Sequence, residues 1–395
     1  MANLVPRSVK TISTISNRRS FLKQGAVAAG VSAVSAGLLA SGRSAFGQEE
    51  KSGRLTPGDA ALLRFAAAAE IIETDFWLQY QELAGTQDDE VSKEVAAQLK
   101  SYPSTPTGGN TLYTKAITQL DSDMAQYIKD NTDDEFTHQD FLNAYLVSKG
   151  ASPVSLEAFR TLPSSQATGS NKSVGRITNL MQLTVDTSWW TRYRIGDHNP
   201  DLEPNFAFPQ AVPTLATGKH TAIPRTDADT NDSNVLQAIA NTAGFHFATI
   251  EQGGTTLYPA MAQRATHPEV LRILISIGPT ETMHFQTWQD KAGNAPDASF
   301  FDPINKSNVV FDLQSAARFN TEDFQKNAIM PEPCPFISPN LPRCSVIRPT
   351  ETKNIAKGVV KFLTDMGLFI GQSAGFFALL NDLAEDADEA RRGQG

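Results

Sequence analysis

The chain is short of cysteine, of histidine and, beyond its first stretch, of positive charge. It holds 2 cysteines and 6 histidines in 395 residues. Cys334 and Cys344 stand with no histidine or third cysteine nearby, which argues against a thiolate metal site. Residues 1–47 carry six Lys or Arg and no acid, so the rest of the chain is more acidic than the formal net charge of −9. Nothing there offers the basic stripe that phosphate contacts need, so no nucleic acid is expected as a partner. Metal cations suit such a charge better. Uninterrupted apolar runs are scarce too. The most apolar C-terminal stretch, through Leu368-Phe369-Ile370 and Phe376 to Leu380, belongs to a segment interrupted by Lys361 and Asp365, too broken for a membrane span.

What the chain does have is a repeated tetrad: Glu135-Phe136-Thr137-His138 and Glu281-Thr282-Met283-His284. Residues three apart on a helix project from nearly the same face, so each tetrad sets a carboxylate beside an imidazole, the pairing that di-metal helix bundles use. One such tetrad is a weak signal. Two, each inside a helical pattern, are a stronger one.

The pattern around them reads as four helices. The first starts near Thr56-Pro57-Gly58-Asp59, with Asp59 as the expected N-cap, and its stripe of Leu62, Ala66, Ala69, Trp77 and Tyr80 carries Glu70 and Glu73. A carboxylate on an apolar stripe must be paired, protonated or bound to metal, or reach water from the edge. The second helix is expected from Leu112 to Lys149 and contains the first tetrad; alternatively Thr132 and Glu135 form a capping box opening a new helix. The third begins near Asp232-Ser233 and carries Glu251, with Gly253-Gly254 just after it, where something packs close or a ligand approaches the backbone. His246 falls on another side of this helix and reads as a core or surface histidine. The fourth, Pro268 to Lys291, carries the second tetrad. Pro279 bends it, or starts a new helix that leaves Glu281 in its first turn.

Together the four supply Glu70, Glu135 with His138, Glu251, and Glu281 with His284: one glutamate from each of two helices and a Glu-x-x-His from each of the other two. Trp77 follows Glu70 by seven residues and Tyr258 follows Glu251 by seven. That repeat favours Glu70 over Glu73.

The first helix, Phe65 through Trp77, and Asp134-Glu135-Phe136-Thr137-His138 resemble bacterial ferritin-like proteins, a group with desiccation-related and twin-arginine-exported members. The resemblance covers roughly residues 55–150 and 232–292 and departs from the group in Pro279 and a long insertion. It implies an all-α, ferritin-like antiparallel four-helix bundle with two metal ions, iron or manganese. It also implies an oxidoreductase acting on dioxygen, peroxide or ferrous iron, whose partners are a small oxidant or a metal-ion substrate. The rival reading keeps the fold as a non-catalytic, stress-associated structural or binding protein.

Asn17-Arg18-Arg19-Ser20-Phe21-Leu22-Lys23, the modestly apolar Gly25 to Ala40 and Ala45-Phe46-Gly47 resemble a twin-arginine signal peptide, which implies the twin-arginine export machinery as a partner and a periplasmic or secreted mature chain. The expected organisation is then a signal at 1–47, a first helix pair at 54–150 and an insertion at 151–231. The insertion would hold one helix, Val174 to Arg194, and a proline-rich loop containing His198 and His220. A second helix pair follows at 232–292, then an irregular proline-rich segment at 293–350 and a C-terminal helix at 351–388. That last helix is expected to pack on the bundle or on a second copy of the chain. In an oxidising compartment Cys334 and Cys344 are expected to be bridged.

Overall fold

A computed structural model describes residues 53–85, 109–192, 198–199, 202–203, 205–316, 332–347 and 353–392. The stretch read as a signal, 1–47, lies outside them, as do Arg194 at the end of the expected insertion helix and two prolines of the loop after it, Pro200 and Pro204. The helices are α1 (Pro57–Ala84), α2 (Thr111–Ile117), α3 (Met124–Ser148), α4 (Ser188–Arg192), α5 (Ser233–Ala262), α6 (Pro268–Ala292), α7 (Ile355–Asp365) and α8 (Ala374–Glu389).

Helices α1, α3, α5 and α6 make the bundle, with α1 packed on α3 and α5 on α6. Their side-chain partners fix the directions. Along α1 and α5, Glu70 meets Tyr258, Trp77 meets Glu251 and Tyr80 meets His246, so one number rises as the other falls and the helices are antiparallel. The same descending register links α3 to α6 through Asn131 with Trp288 and Tyr145 with Glu269.

Local chemistry explains the boundaries, and several differ from those read in the sequence. Thr56, not Asp59, caps α1: its hydroxyl oxygen accepts from Asp59 N at 3.0 Å, and Pro57 follows where its missing N–H costs nothing. Asp59 in the first turn instead accepts from Thr266 N at 2.8 Å, fastening α1 to the α5–α6 turn. The expected second helix is two, because Asp121 Oδ1 accepts from Asp123 N and turns the chain between α2 and α3. Thr132 lies inside α3 and its hydroxyl donates to Ile128 O at 2.6 Å, so no capping box opens there. Pro279 lies within an unbroken α6, and Gly253-Gly254 within an unbroken α5.

The insertion is irregular where a helix over Val174 to Arg194 was expected; among the described residues of that range only Ser188–Arg192 is helical. Its backbone is held in short bridges instead, Leu162 with Arg176 and Leu183 with His220, and Asn179 N and Thr184 N donate to Leu368 O and Met366 O. Two buried acids of α1 clamp it. Asp75 accepts from Ile177 N, Thr178 N and the Thr178 hydroxyl at 2.6–3.0 Å and pairs with Arg160, while Glu82 pairs with buried Arg176 and accepts from Asn171 N. Competition from these partners explains why helical periodicity did not prevail there.

The single C-terminal helix expected from sequence is also two. Gly367 and Gly371 take positive φ, 88° and 98°, between α7 and α8, and a Cβ at Gly367 would lie 2.6 Å from Gln182 O. Helix α8 packs on α1. The proline-rich segment contains two small antiparallel hairpins, β1 (Ala298–Asp302) with β2 (Ser307–Phe311) and β3 (Glu332–Cys334) with β4 (Cys344–Val346). Cys334 and Cys344, the pair expected to be bridged, are register partners in the second, with both thiols free here. The Cys334 sulfur is buried 3.8 Å from Asn199 Nδ2 while Cys344 is exposed, so the two thiols occupy different surroundings. No helix among the described residues is long and apolar enough to cross a membrane.

Candidate metal centre

Six side chains from four helices meet in the middle of the bundle. Glu70, Glu135, Glu251 and Glu281 are wholly buried, and His138 and His284 are 12% and 11% exposed. They form two overlapping groups, Glu70, Glu135, His138 and Glu281 on one side and Glu135, Glu251, Glu281 and His284 on the other. Within each group the ligating atoms lie within 4.8 Å of one another. Glu135 and Glu281 belong to both.

Both imidazoles turn Nδ1 inward. His138 Nδ1 is 3.1 Å from Glu135, 3.3 Å from Glu70 and 3.5 Å from Glu281. His284 Nδ1 is 3.1 Å from Glu135 and 3.3 Å from Glu251, and its Nε2 is 3.0 Å from Asp134 Oδ2. Glu73, one turn along α1, is half-buried and lies outside both groups.

Residues that sequence reasoning did not assign hold this set in place. Trp77 Nε1 donates to Glu251 Oε1 at 3.1 Å, and the Tyr258 hydroxyl donates to Glu70 Oε1. The two aromatic residues seven positions after the terminal glutamates thus brace each other's glutamate across the bundle. The repeat was visible, but its crossed geometry required the antiparallel pairing of α1 and α5. Asn131 Nδ2 donates to Glu135 Oε1 at 2.7 Å while its own oxygen accepts from Trp288 Nε1 at 2.7 Å. Gly254 accounts for the paired glycines: a Cβ there would lie 2.5 Å from Glu281 Oε2, so only glycine admits this carboxylate.

The electrostatics are those of acids buried against one another. Burial pushes the Glu70 carboxyl up to about 7, partly opposed by His138. Burial, then the neighbouring carboxylates, push Glu281 well up, and burial raises Glu251 despite His284. Burial would raise Glu135 too, but hydrogen bonds and charge from both histidines outweigh it and hold it well below the carboxylate range. Burial disfavours the charged imidazole of His138, yet Glu70 and Glu135 push it up to about 12; His284 is likewise raised well above its ordinary value by Glu251, Asp134 and Glu135.

Even so, several buried carboxylate oxygens accept no hydrogen bond: Glu70 Oε2, Glu251 Oε2 and both Glu281 oxygens. Leaving a buried polar atom unmatched typically costs about 1–3 kcal/mol, more where the group is charged. All of these residues belong to the two converging groups. A pair of divalent cations would satisfy them together, and carboxylate with imidazole is a donor set suited to iron or manganese. A cleft of about 80 Å³, lined by Tyr127, Asp130, Asn131, Asp134, His284, Thr287 and Trp288, reaches the set from the surface at His284.

Comparison with known proteins agrees with this geometry. The profile of a family described as "Ferritin-like domain" matches residues 58–294. No curated protein and no solved structure matches the chain.

Proposed function

This chain belongs to the ferritin-like domain family, and we propose that its bundle holds two redox-active metal ions, iron or manganese, and acts on dioxygen, peroxide or ferrous iron. The observation that carries the reading is the sharing of Glu135 and Glu281 between two four-residue groups, each completed by its own glutamate and histidine. Glu70 and His138 would complete one position, Glu251 and His284 the other, with Glu135 and Glu281 spanning both. When bound, such a pair supplies the exchange of two electrons with an oxygen substrate. The residues around it keep the donors aimed. Tyr258 and Trp77 each occupy one oxygen of a terminal glutamate and leave the other facing inward. Asp134 holds His284 Nε2, so that Nδ1 is presented to the interior. Asp130 and Asp134 line the cleft that leads to His284 and would draw cations toward it.

The twin-arginine-like stretch supports export of the chain already folded, with its ions in place. Direct test is by metal content: load the metal-free protein anaerobically with Fe(II) or Mn(II), desalt and measure metal per chain. The reading expects close to two, reduced in Glu135→Ala and His284→Ala, followed by consumption of dioxygen or peroxide. A folded protein that retains no metal overturns it and leaves the non-catalytic scaffold as the better account.

A further inference from the structure

One polar pair in the bundle takes no part in holding the metal-ligand set. Tyr80 and His246 are both wholly buried, on α1 and α5, and the Tyr80 hydroxyl lies 2.9 Å from His246 Nδ1. They sit among aromatic rings: Phe76 meets His246 edge-on at 5.5 Å and Phe247 meets Tyr80 edge-on at 4.6 Å. His246 Nε2 has no partner. A core that needed only to be filled would not place an imidazole there, because an unmatched buried nitrogen is a cost an apolar residue of similar size avoids.

The position of the pair is what gives it a use. Tyr80 is one turn from Trp77, with ring centroids 5.9 Å apart, and Trp77 donates its indole N–H to Glu251. Trp77 also stacks on Trp288 at 5.3 Å and on Phe247 at 4.8 Å. A continuous line of contacts therefore runs from Glu251 through an indole to a phenol and ends on an imidazole.

We propose that Trp77 and Tyr80 form a one-electron relay out of the metal centre, with His246 as the proton acceptor that lets Tyr80 be oxidised in the dry core. The relay rests on the redox reading above. An oxidant of the peroxide or dioxygen class, reduced at the centre, takes one electron from the Trp77 indole. Tyr80 refills it with one electron; as that electron leaves, the phenol O–H bond breaks and the proton passes to His246 Nδ1. The products are a neutral phenoxyl radical and an imidazolium, and charge and protons balance. An oxidising equivalent that finds no substrate is thereby moved off the ligands.

The surroundings suit each role. Burial pushes the Tyr80 phenol well above its ordinary value, so it does not ionise by itself and gives up its proton only together with an electron. Burial also pushes the His246 imidazole down to about 3, so the ring is neutral and only weakly basic, and it takes a proton only from a phenol made strongly acidic by loss of its electron.

The test avoids metal altogether. In the metal-free full chain, a laser flash photoionises tryptophan, and transient absorption follows the loss of indole radical and the growth of phenoxyl radical. In the unaltered protein we expect phenoxyl growth matched to indole-radical decay, independent of protein concentration, and slowed in deuterated solvent. Tyr80→Phe, which keeps the ring, should remove that growth. His246→Gln keeps a hydrogen-bond acceptor that cannot take the proton, and should slow the step on the order of a hundredfold and abolish the solvent effect. Unfolding midpoints of both variants are compared with the parent, so a packing defect is read separately. Unchanged phenoxyl growth in Tyr80→Phe, or an unchanged rate in His246→Gln, overturns the relay. Because no metal is present, that failure leaves the metal-content result standing, and a chain that binds no metal leaves the flash result standing.

Discussion

Helix α1 carries wholly buried acids of two kinds. Asp75 and Glu82 are saturated: Arg160, Arg176, backbone N–H groups and a threonine hydroxyl surround them at 2.5–3.0 Å. Glu70, on the same helix, has one oxygen held by Tyr258 and the other without a hydrogen bond, and Glu281 opposite has two such oxygens. Desolvating a carboxylate is costly in either case, so the difference lies in what completes it. The saturated acids are fasteners that tie the irregular insertion to the bundle. The unsaturated ones leave carboxylate oxygens open to the ions proposed above.

If that contrast is right, breaking a fastener should do the most harm to folding. Arg176→Met leaves Glu82 buried beside a neutral side chain and should lower stability by about 3–5 kcal/mol in urea unfolding of the metal-free protein. A loss under about 1 kcal/mol would place Glu82 among ordinary surface-type pairs instead. Next comes Gly254→Ala, whose Cβ meets the Glu281 carboxylate at 2.5–3.0 Å. Overpacking of this kind costs about 1–3 kcal/mol, and metal retention should fall although no ligand has changed. Retained metal at the parental level would show that Glu281 can move aside.

The contrast also has a pH signature. Glu70 is raised from 4.5 to about 7, so its contribution to metal-free stability is complete below the unfolded value and is lost as pH rises through the folded one. The raised imidazoles of His138 and His284 act in the same direction above 6.5, Glu135, which is lowered, is constant across this range, and the lowered His246 and His220 oppose the trend below 6.5 without matching the raised carboxyls of Glu70, Glu251 and Glu281 together. Thermal unfolding of the metal-free chain should therefore occur at lower temperature at about pH 7.5 than at about pH 5, and loading with Fe(II) or Mn(II) should reverse the order. An identical trend with and without metal would contradict the assignment. The smallest effect on folding is expected from Glu281→Gln: metal-free stability equal to or above that of the parent, together with loss of most bound metal. Read beside Arg176→Met, it separates the two kinds of acid most sharply.

The six converging side chains were legible in the sequence because helical spacing is strict. A carboxylate and an imidazole three apart must share a face, and Glu251 was marked by the repeat that sets Tyr258 seven residues after it as Trp77 follows Glu70. The family fold was legible for the same reason. Asn131, Asp134 and the crossed contacts of Trp77 and Tyr258 were not, since each depends on which helix lies opposite. The helix expected over Val174 to Arg194 failed because Asp75 and Glu82, a hundred residues away in the chain, offer its backbone and Arg176 better partners than a helix would. The breaks at Asp121 and Gly367 are local turn chemistry that outweighs an otherwise continuous apolar pattern.

The two braces are alike in placement and unlike in substance. A phenol, with a proton to give, leans on Glu70; an indole leans on Glu251. The bundle thus has an approximate dyad whose two ends carry different substituents. Two ions of one element would meet two different fields there, so a chain carrying one ion would have a preferred end and filling would have an order.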